Sequence, residues 1–443
     1  MLAPLKGIDA RLVVGEARAA CLIAFPGALF DIEHRGGPIG PLAHAPARRH
    51  AMHRDEQIRL LKLLMNHLDN DTTVDAGGMR ENPAWVYTSQ EHADKEWEAF
   101  FRAHPQVVGM SGELPENGSF RTIHDFGVPL LITRDEAGRF RAFANVCRHR
   151  STIVESEPCG KKRNFSCPFH AWTYSSSGEL VGVPKPSHFG EVDKSKLGLI
   201  EYPAEEKYGL LWVHPVRGAR LDVDELLGGL APEFASWSWS EMVHVGDDTF
   251  DMPLNWKLAI DTFGETYHFS SLHKNSLAVN FHGNVQGYDT FDRNHRMTLC
   301  TRGIDELREK PESEWHITQG AFPVYYLFPN IQINVGQHNV ILVRVYPDPK
   351  NPGHSISRIS FMARPHLAEV PEFRQRMADG MRFFASVIRD EDYQAAASSW
   401  VGAAAGVDEV FRFGRNEPAL HHYHNTYREA LGMELLPLLP AGD

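Results

Sequence analysis

Residues 145–174 read NVCRHRSTIVESEPCGKKRNFSCPFHAWTY, and the cysteines and histidines in this stretch decide how the rest of the chain is read. Cys147 and His149 stand one residue apart; seventeen residues later come Cys167 and His170, so the spacing is C-x-H-x17-C-x2-H. Two short ligand pairs on two loops could grip one inorganic centre. Structural zinc sites usually start from C-x2-4-C pairs, whereas each pair here joins one thiolate to one imidazole.

Two cysteines with two histidines are the ligand set of a Rieske 2Fe-2S centre, in which imidazoles replace thiolates on one iron and raise the potential. Cys147 and Cys167 are therefore assigned to one iron, His149 and His170 to the other. Any one of them alone would more ordinarily be a buried thiol or a hydrogen-bonded core histidine. Four at this spacing outweigh that reading. Pro168 and Gly178 suit turns over such a centre, and Trp172 and Tyr174 could shield it or simply pack. Cys159 lies between the pairs without a nearby partner in sequence and is expected as a free thiol.

Working outward, 443 residues with 42% hydrophobic and 23% charged side chains suit a folded chain with two domains or more. A net charge of -12 argues against a generally basic nucleic-acid-binding surface. Five cysteines are too sparse for a secreted disulfide framework, and no apolar run approaches the roughly 20 residues that span a bilayer, so a cytoplasmic protein without a membrane segment is expected. Residues 1–51 lack periodicity and are read as a leader or extension, with an arm packing on a neighbouring subunit as the alternative. From Met52, Ile58, Leu61, Leu64 and Met65 recur at helical spacing, and 52–106 are assigned to an N-terminal helical segment packing on the catalytic domain. Short strand-like runs such as VPLLITRD, FRAFANVC and GLLWVHP make 107–217 a small all-β domain. In 218–443, LNWKLAIDTFGETYHFSSLH reads as helix, NVILVRVYPD and HSISRISFMARP as antiparallel strands, and EFRQRMADGMRFFASVIRDEDYQAAASSWV as a long helix. The whole is an α+β protein: a small all-β domain, then an antiparallel sheet gripping helices.

The segments NVCRHR, CPFHAWTY and GEL resemble the Rieske domain of aromatic-ring-hydroxylating oxygenases over about Val107 to Pro215. A Rieske domain alone could be a simple electron carrier. The second half of the chain argues otherwise. His268 and His273 lie five apart, with Glu265 three and Asp261 seven residues before the first. On a helix 261, 265 and 268 share one face, and a break after His268 would let His273 turn to the same point. Two histidines and one carboxylate with open positions are the ligands of non-haem Fe(II) oxygenases. VIRDEDYQAAASSW offers the carboxylate, although an acidic triplet is ordinarily a solvated helix face.

Asn255 to His273 is similar to the catalytic-helix motif of the same family, acidic-x-x-His-x4-His, and extends the likeness to roughly residues 85–430. The chain is thus identified as a member of the Rieske-type non-haem iron oxygenases, as the alpha (large) subunit. In that family the iron carboxylate follows an acidic residue, which selects Asp392 after Glu391, with Asp390 as the runner-up. Glu265 stands where dioxygenase members commonly have Asp, and Asp261 where several have Asn. Glutamate also occurs in monooxygenase and demethylase branches.

The resemblance implies electrons from NAD(P)H through a reductase, with or without a ferredoxin, to the 2Fe-2S cluster and on to a mononuclear Fe(II) that activates dioxygen. It implies hydroxylation, mono- or cis-di-, of an aromatic or other largely apolar substrate, with O- or N-dealkylation as the alternative and an electron carrier as the remote one. It also implies a homotrimer, or an α3β3 hexamer with a small β subunit. There Glu265 would join His268 to His170 of a neighbour, which makes Glu265 and Asp261 candidate catalytic residues. Arg148, Arg150, Lys161, Lys162 and Arg163 could form a docking face for an acidic electron donor. Residues 277–291 and 321–335 supply apolar side chains for a substrate cavity.

Overall fold

The computed structural model describes residues 52–439, so the expectations for 1–51 lie outside the described residues. The first half is built from small antiparallel sheets. A five-stranded one runs in the order Glu201–Tyr202, Phe140–Ala144, Leu130–Arg134, Ser119–Ile123, Cys159–Lys161, and a three-stranded one joins Asn164–Ser166, Thr173–Ser175 and Leu180–Gly182. Leu210–Val213 pairs with Ala204–Lys207 on one side and with Gln106–Met110 on the other, bringing the two ends of this region together. VPLLITRD, FRAFANVC and GLLWVHP supply three of these strands.

The second half centres on a seven-stranded antiparallel sheet, in the order Val243–Met252, Asn351–Ala363, Asn339–Asp348, Ile331–Val335, Ala321–Leu327, Asn294–Thr301, Phe281–Phe291. Asn351–Ala363 alternates buried and half-buried residues before its last five become buried throughout. That pattern marks a strand with one open face that runs under covering helices. The expected pairing of NVILVRVYPD with HSISRISFMARP is observed, Leu342 opposite Ser360 and Val343 opposite Ile359. Helices Pro371–Val387, Tyr393–Ala404 and Pro418–Ala430 complete an α+β domain.

Helix Arg54–Asn70 buries Leu60, Leu61 and Leu64 in one cluster with Cys300, Ile304 and Tyr325. A buried guanidinium reinforces the latch: Arg296 is fully enclosed and ion-paired with Glu56 of that helix, Glu233 and Asp289. The guanidinium is the shared counter-charge of these three carboxylates, so removing Arg296 itself would leave them clustered without it, a loss that typically costs about 3–5 kcal/mol. Among the described residues, no helix is long and apolar enough to cross a membrane.

Three details depart from expectation. The helix in 254–273 is short, Trp256–Asp261 capped by the Asn255 side chain, and a separate 3-10 turn, Tyr267–Ser270, follows. Gly264 lies between them, where a Cβ would come within 2.3 Å of the Tyr423 hydroxyl, so the chain bends against Tyr423 rather than continuing. Asp261, Glu265 and His268 therefore do not share one helical face. The long late helix is interrupted by a π-helical turn, Ile388–Asp392. Cys159 is disulfide-bonded rather than free.

Candidate functional site

The two ligand loops of the first region share one backbone plan. Cys147 N donates to Thr152 O and Ser151 N to Cys147 O; Cys167 N donates to Trp172 O and Ala171 N to Cys167 O, all at 2.8–3.0 Å. Ser151 (φ 59°) and Ala171 (φ 53°) occupy equivalent left-handed positions, a conformation costly for residues with a Cβ and retained where surroundings enforce it. This plan brings the two cysteines and two histidines together. Cys147 and Cys167 are buried, and the His149 and His170 rings lie 4.6 Å apart. Trp172 stacks on His149 at 5.1 Å, and the Tyr174 hydroxyl contacts Cys147 Sγ at 3.3 Å.

These residues fit a 2Fe-2S cluster. His149 Nδ1 is buried without a hydrogen-bond partner, the state expected of a nitrogen reserved for a metal. Burial, with Cys147 alongside, pushes the Cys167 thiol up. The five cations near the cluster loops each have a partner within the chain. Lys161, Lys162 and Arg163 pair with Glu116, Glu155 and Glu136, Arg148 donates to Gly198 O, and Arg150 reaches His170 Nε2.

In the second region His268, His273 and Asp392 converge, with one ligand atom from each lying within 4.8 Å of the others. Asp392 Oδ1 is 2.9 Å from His273 Nε2 and 3.3 Å from His268 Nε2. Each imidazole is held on its other nitrogen by a separate carboxylate: Glu265 on His268 Nδ1, and Glu391 on His273 Nδ1 at 2.6 Å. Ser276 Oγ donates to Glu391 at 2.8 Å. Such outer partners fix the tautomer and aim Nε2 at the metal. Glu391 and Ser276 were not anticipated as site residues; the acidic doublet 391–392 was the available signal.

This donor set fits a mononuclear iron. His268 Nε2 is buried without a well-formed hydrogen bond. Burial opposes charge on His268, yet Asp392 and Glu265 outweigh it and hold that imidazole up at about 10; His273 is also raised, by Asp392 and Glu391 against burial. Three carboxylates around two imidazoles favour a cation here. Asp390 instead pairs with Arg389 at the surface, 2.6 Å away. Asp261 accepts from Tyr87 Oη at 2.9 Å and lies 2.8 Å from His424 Nε2, so its carboxylate serves the helix end rather than the convergence point.

Beside the triad lies a cavity of about 70 Å³ lined by Phe263, Phe269, Phe281, Phe322, Phe383 and Phe384 among others. Both expected stretches contribute, through Phe281 and Phe322; the late helix adds Phe383 and Phe384, which sequence reading had not assigned.

Comparison with known proteins matches both regions of the chain. The model for the Rieske [2Fe-2S] domain matches residues 104–203, and that for the ring hydroxylating alpha subunit (catalytic domain) matches 239–433. The chain belongs to the Rieske non-haem iron oxygenase alpha subunits. The cofactors of this family are a Rieske 2Fe-2S cluster and a mononuclear iron. The chain is 24% identical over 319 residues to the carnitine monooxygenase oxygenase subunit of Acinetobacter baumannii, covering 71% of this chain and 83% of the relative. It is 29% identical over 204 residues to the terephthalate 1,2-dioxygenase terminal oxygenase component subunit alpha 2 of a Comamonas species, over 43% of this chain and 48% of the relative. A quaternary ammonium Rieske monooxygenase solved with L-carnitine shares the fold at TM-score 0.68 and 20% identity, over 81% of this chain and 97% of that one.

Proposed function

We propose that this Rieske oxygenase is a monooxygenase that hydroxylates one end of a largely apolar substrate, with dealkylation following where the hydroxylated carbon carries nitrogen or oxygen. The observation behind this reading is the size of the cavity beside the triad. At about 70 Å³ it is well below the roughly 300 Å³ at which small-molecule pockets usually begin, so it suits one small group. Glu265, a residue type that also occurs in monooxygenase and demethylase branches, and the carnitine monooxygenase relative are in keeping with it. The terephthalate dioxygenase relative supports a second reading, cis-dihydroxylation of a ring.

Cys147, His149, Cys167 and His170 would hold the cluster, and His268, His273 and Asp392 the iron. When bound, these groups supply single-electron transfer and activation of dioxygen, with NAD(P)H as the distant electron source through a reductase. Glu265 and Glu391 hold the Nδ1 protons and keep both rings aimed. The phenylalanine lining excludes water and presents the substrate's apolar end.

Assembly as a head-to-tail trimer is part of this proposal. Phe169 and Phe189 stand exposed at the cluster end of the chain, and Tyr267 and Leu272 at the iron end, as an interface joining the two ends would require. The test is mass spectrometry of product formed under labelled dioxygen with reductase and NAD(P)H. One labelled atom in the product supports monooxygenation; two in a cis-diol support the second reading; a protein with two irons and no oxygen uptake on any substrate defeats both.

A further inference from the structure

The cavity beside the triad shares two of its walls, Phe281 and Phe322, with a much larger one of about 570 Å³. The rings of those residues meet edge to face, centroids 5.8 Å apart, so they form an aromatic partition between the two spaces. The chemistry on the two sides differs sharply. The inner side is mostly phenylalanine and aliphatic carbon, with His268, His273, Asp392 and Glu265 on the wall where the triad converges. The outer is lined by Arg302, Lys310 and Arg376, one carboxylate, Glu306, and several neutral amides and hydroxyls.

Three cations against one carboxylate is the reverse of the chain's overall balance, 45 basic to 57 acidic residues. None of the three has an ion pair among the described residues, although Arg376 lies over the Phe373 ring at 5.8 Å. Arg302 gives Nε and Nη2 to Ala278 O, at 3.3 and 3.2 Å, and Lys310 and Arg376 are exposed. A concave wall of one sign concentrates ligands of the other, and guanidinium recognises carboxylate in a bidentate, directional way.

Resting on the oxygenase reading above, we propose that the substrate carries an anionic group, a carboxylate in the simplest case, at the end remote from the oxidised carbon. The inner cavity takes the small apolar end, Phe281 and Phe322 clasp the middle, and Arg302, Lys310 and Arg376 hold the carboxylate in the outer vestibule. The anion thus fixes which end of the molecule faces the metal ligands. A neutral molecule of the same length lacks that orientation.

The probes are 4-phenylbutyrate and 4-phenylbutan-1-ol, alike in length and apolar body but differing in charge. Calorimetric titration of the holoenzyme reads binding without turnover. The carboxylate should bind at least about tenfold more tightly than the alcohol, since a charge-assisted contact replaces a neutral one. That ratio should shrink as salt is raised. In Arg376→Gln and Lys310→Gln it should collapse toward one, and in Arg376→Glu it should invert. Equal binding of the two probes, binding of neither, or a ratio untouched by all three substitutions would overturn the proposal. The oxygenase reading fails on different evidence, the iron content and the labelled-oxygen product, so a colourless or inactive protein that still prefers the carboxylate separates the two.

Discussion

Arg150 Nη2 lies 2.8 Å from His170 Nε2, and the same guanidinium covers the Phe169 ring at 4.4 Å. Guanidinium can only donate, and a neutral histidine bound to metal through Nδ1 carries its proton on Nε2. In this structure Arg150 therefore donates to His170 Nε2; were Nδ1 to hold the cluster, Nε2 would carry the proton, and an arriving carboxylate could accept from both groups. Glu265 of the partner subunit is the group the trimer proposal brings there.

Replacing Arg150 by Gln should leave the Rieske visible spectrum in place but lower its midpoint potential, because a positive charge beside a cluster favours the reduced form. The shift should be on the order of tens of millivolts at the dielectric of a protein surface. Spectroelectrochemical titration measures it. An unchanged potential would mean that the guanidinium swings clear once the cluster is bound.

Glu265→Gln keeps size and loses charge. Both metals should remain bound, while reoxidation of a pre-reduced cluster slows by roughly the 10- to 100-fold seen when outer carboxylates of metal sites are lost. Single-turnover absorbance with substrate and oxygen reads the rate. Reoxidation at the wild-type rate would reduce Glu265 to a local support for Tyr267 N and His268 N, both of which it already accepts from.

Asp392→Ala should lower the metal content from about three irons per chain to about two with the Rieske spectrum retained, since the two sites have separate ligands. Asp390→Ala should change neither, because Asp390 pairs with Arg389 at the surface. Metal analysis of both variants, prepared anaerobically, decides which carboxylate is the ligand.

Glu391→Ala removes the group on His273 Nδ1 and the acceptor of Ser276 Oγ. Iron affinity should fall roughly 10- to 100-fold. Glu391→Gln should recover part of it, as an amide oxygen still accepts the Nδ1 proton. Equilibrium iron titration of the three proteins orders them, and equal affinities would leave Glu391 without a positioning role.

His295 supplies the pH dependence. It is buried between the stacked Tyr326 and Tyr423 rings, with His422 Nδ1 at 3.2 Å, and burial followed by His422 holds its basicity well below the usual imidazole value. The unfolded chain takes up a proton as pH falls through about 6.5 and the folded chain does not. Stability present above that pH is therefore lost below it, by up to about 1.4 kcal/mol per pH unit. The melting temperature of His295→Phe should fall less steeply between pH 7 and 5 than that of the wild type. Parallel slopes would assign the acid sensitivity to other groups.

The meeting of the Cys147 and Cys167 loops was legible because all its information is local: four candidate ligands and two turns within thirty residues. The convergence of His268, His273 and Asp392 was legible in identity but not in shape. A 3.6-residue period placed Asp261 with Glu265 and His268, while Gly264, pressed against Tyr423 from a helix more than 150 positions away, ends that period. No local pattern reports a contact at that distance. The vestibule was invisible for the same reason, since Arg302 and Lys310, at either end of one short helix, meet Arg376 from helix Pro371–Val387, and each alone resembles an ordinary surface cation.

The π-helical turn Ile388–Asp392 places helices Pro371–Val387 and Tyr393–Ala404 out of phase with one another. A π-turn accommodates one residue more than the α-helix it interrupts, and each residue of an α-helix advances about 100° around the axis. The angle at which Asp392 meets His268 and His273 is therefore written as a residue count as much as a residue type. Excising a single position from this turn would leave every candidate ligand in the sequence and the acidic doublet intact, yet rotate the carboxylate away from His268 and His273. A homologue of this chain shortened by one residue here could keep the motif on paper and lose the chemistry.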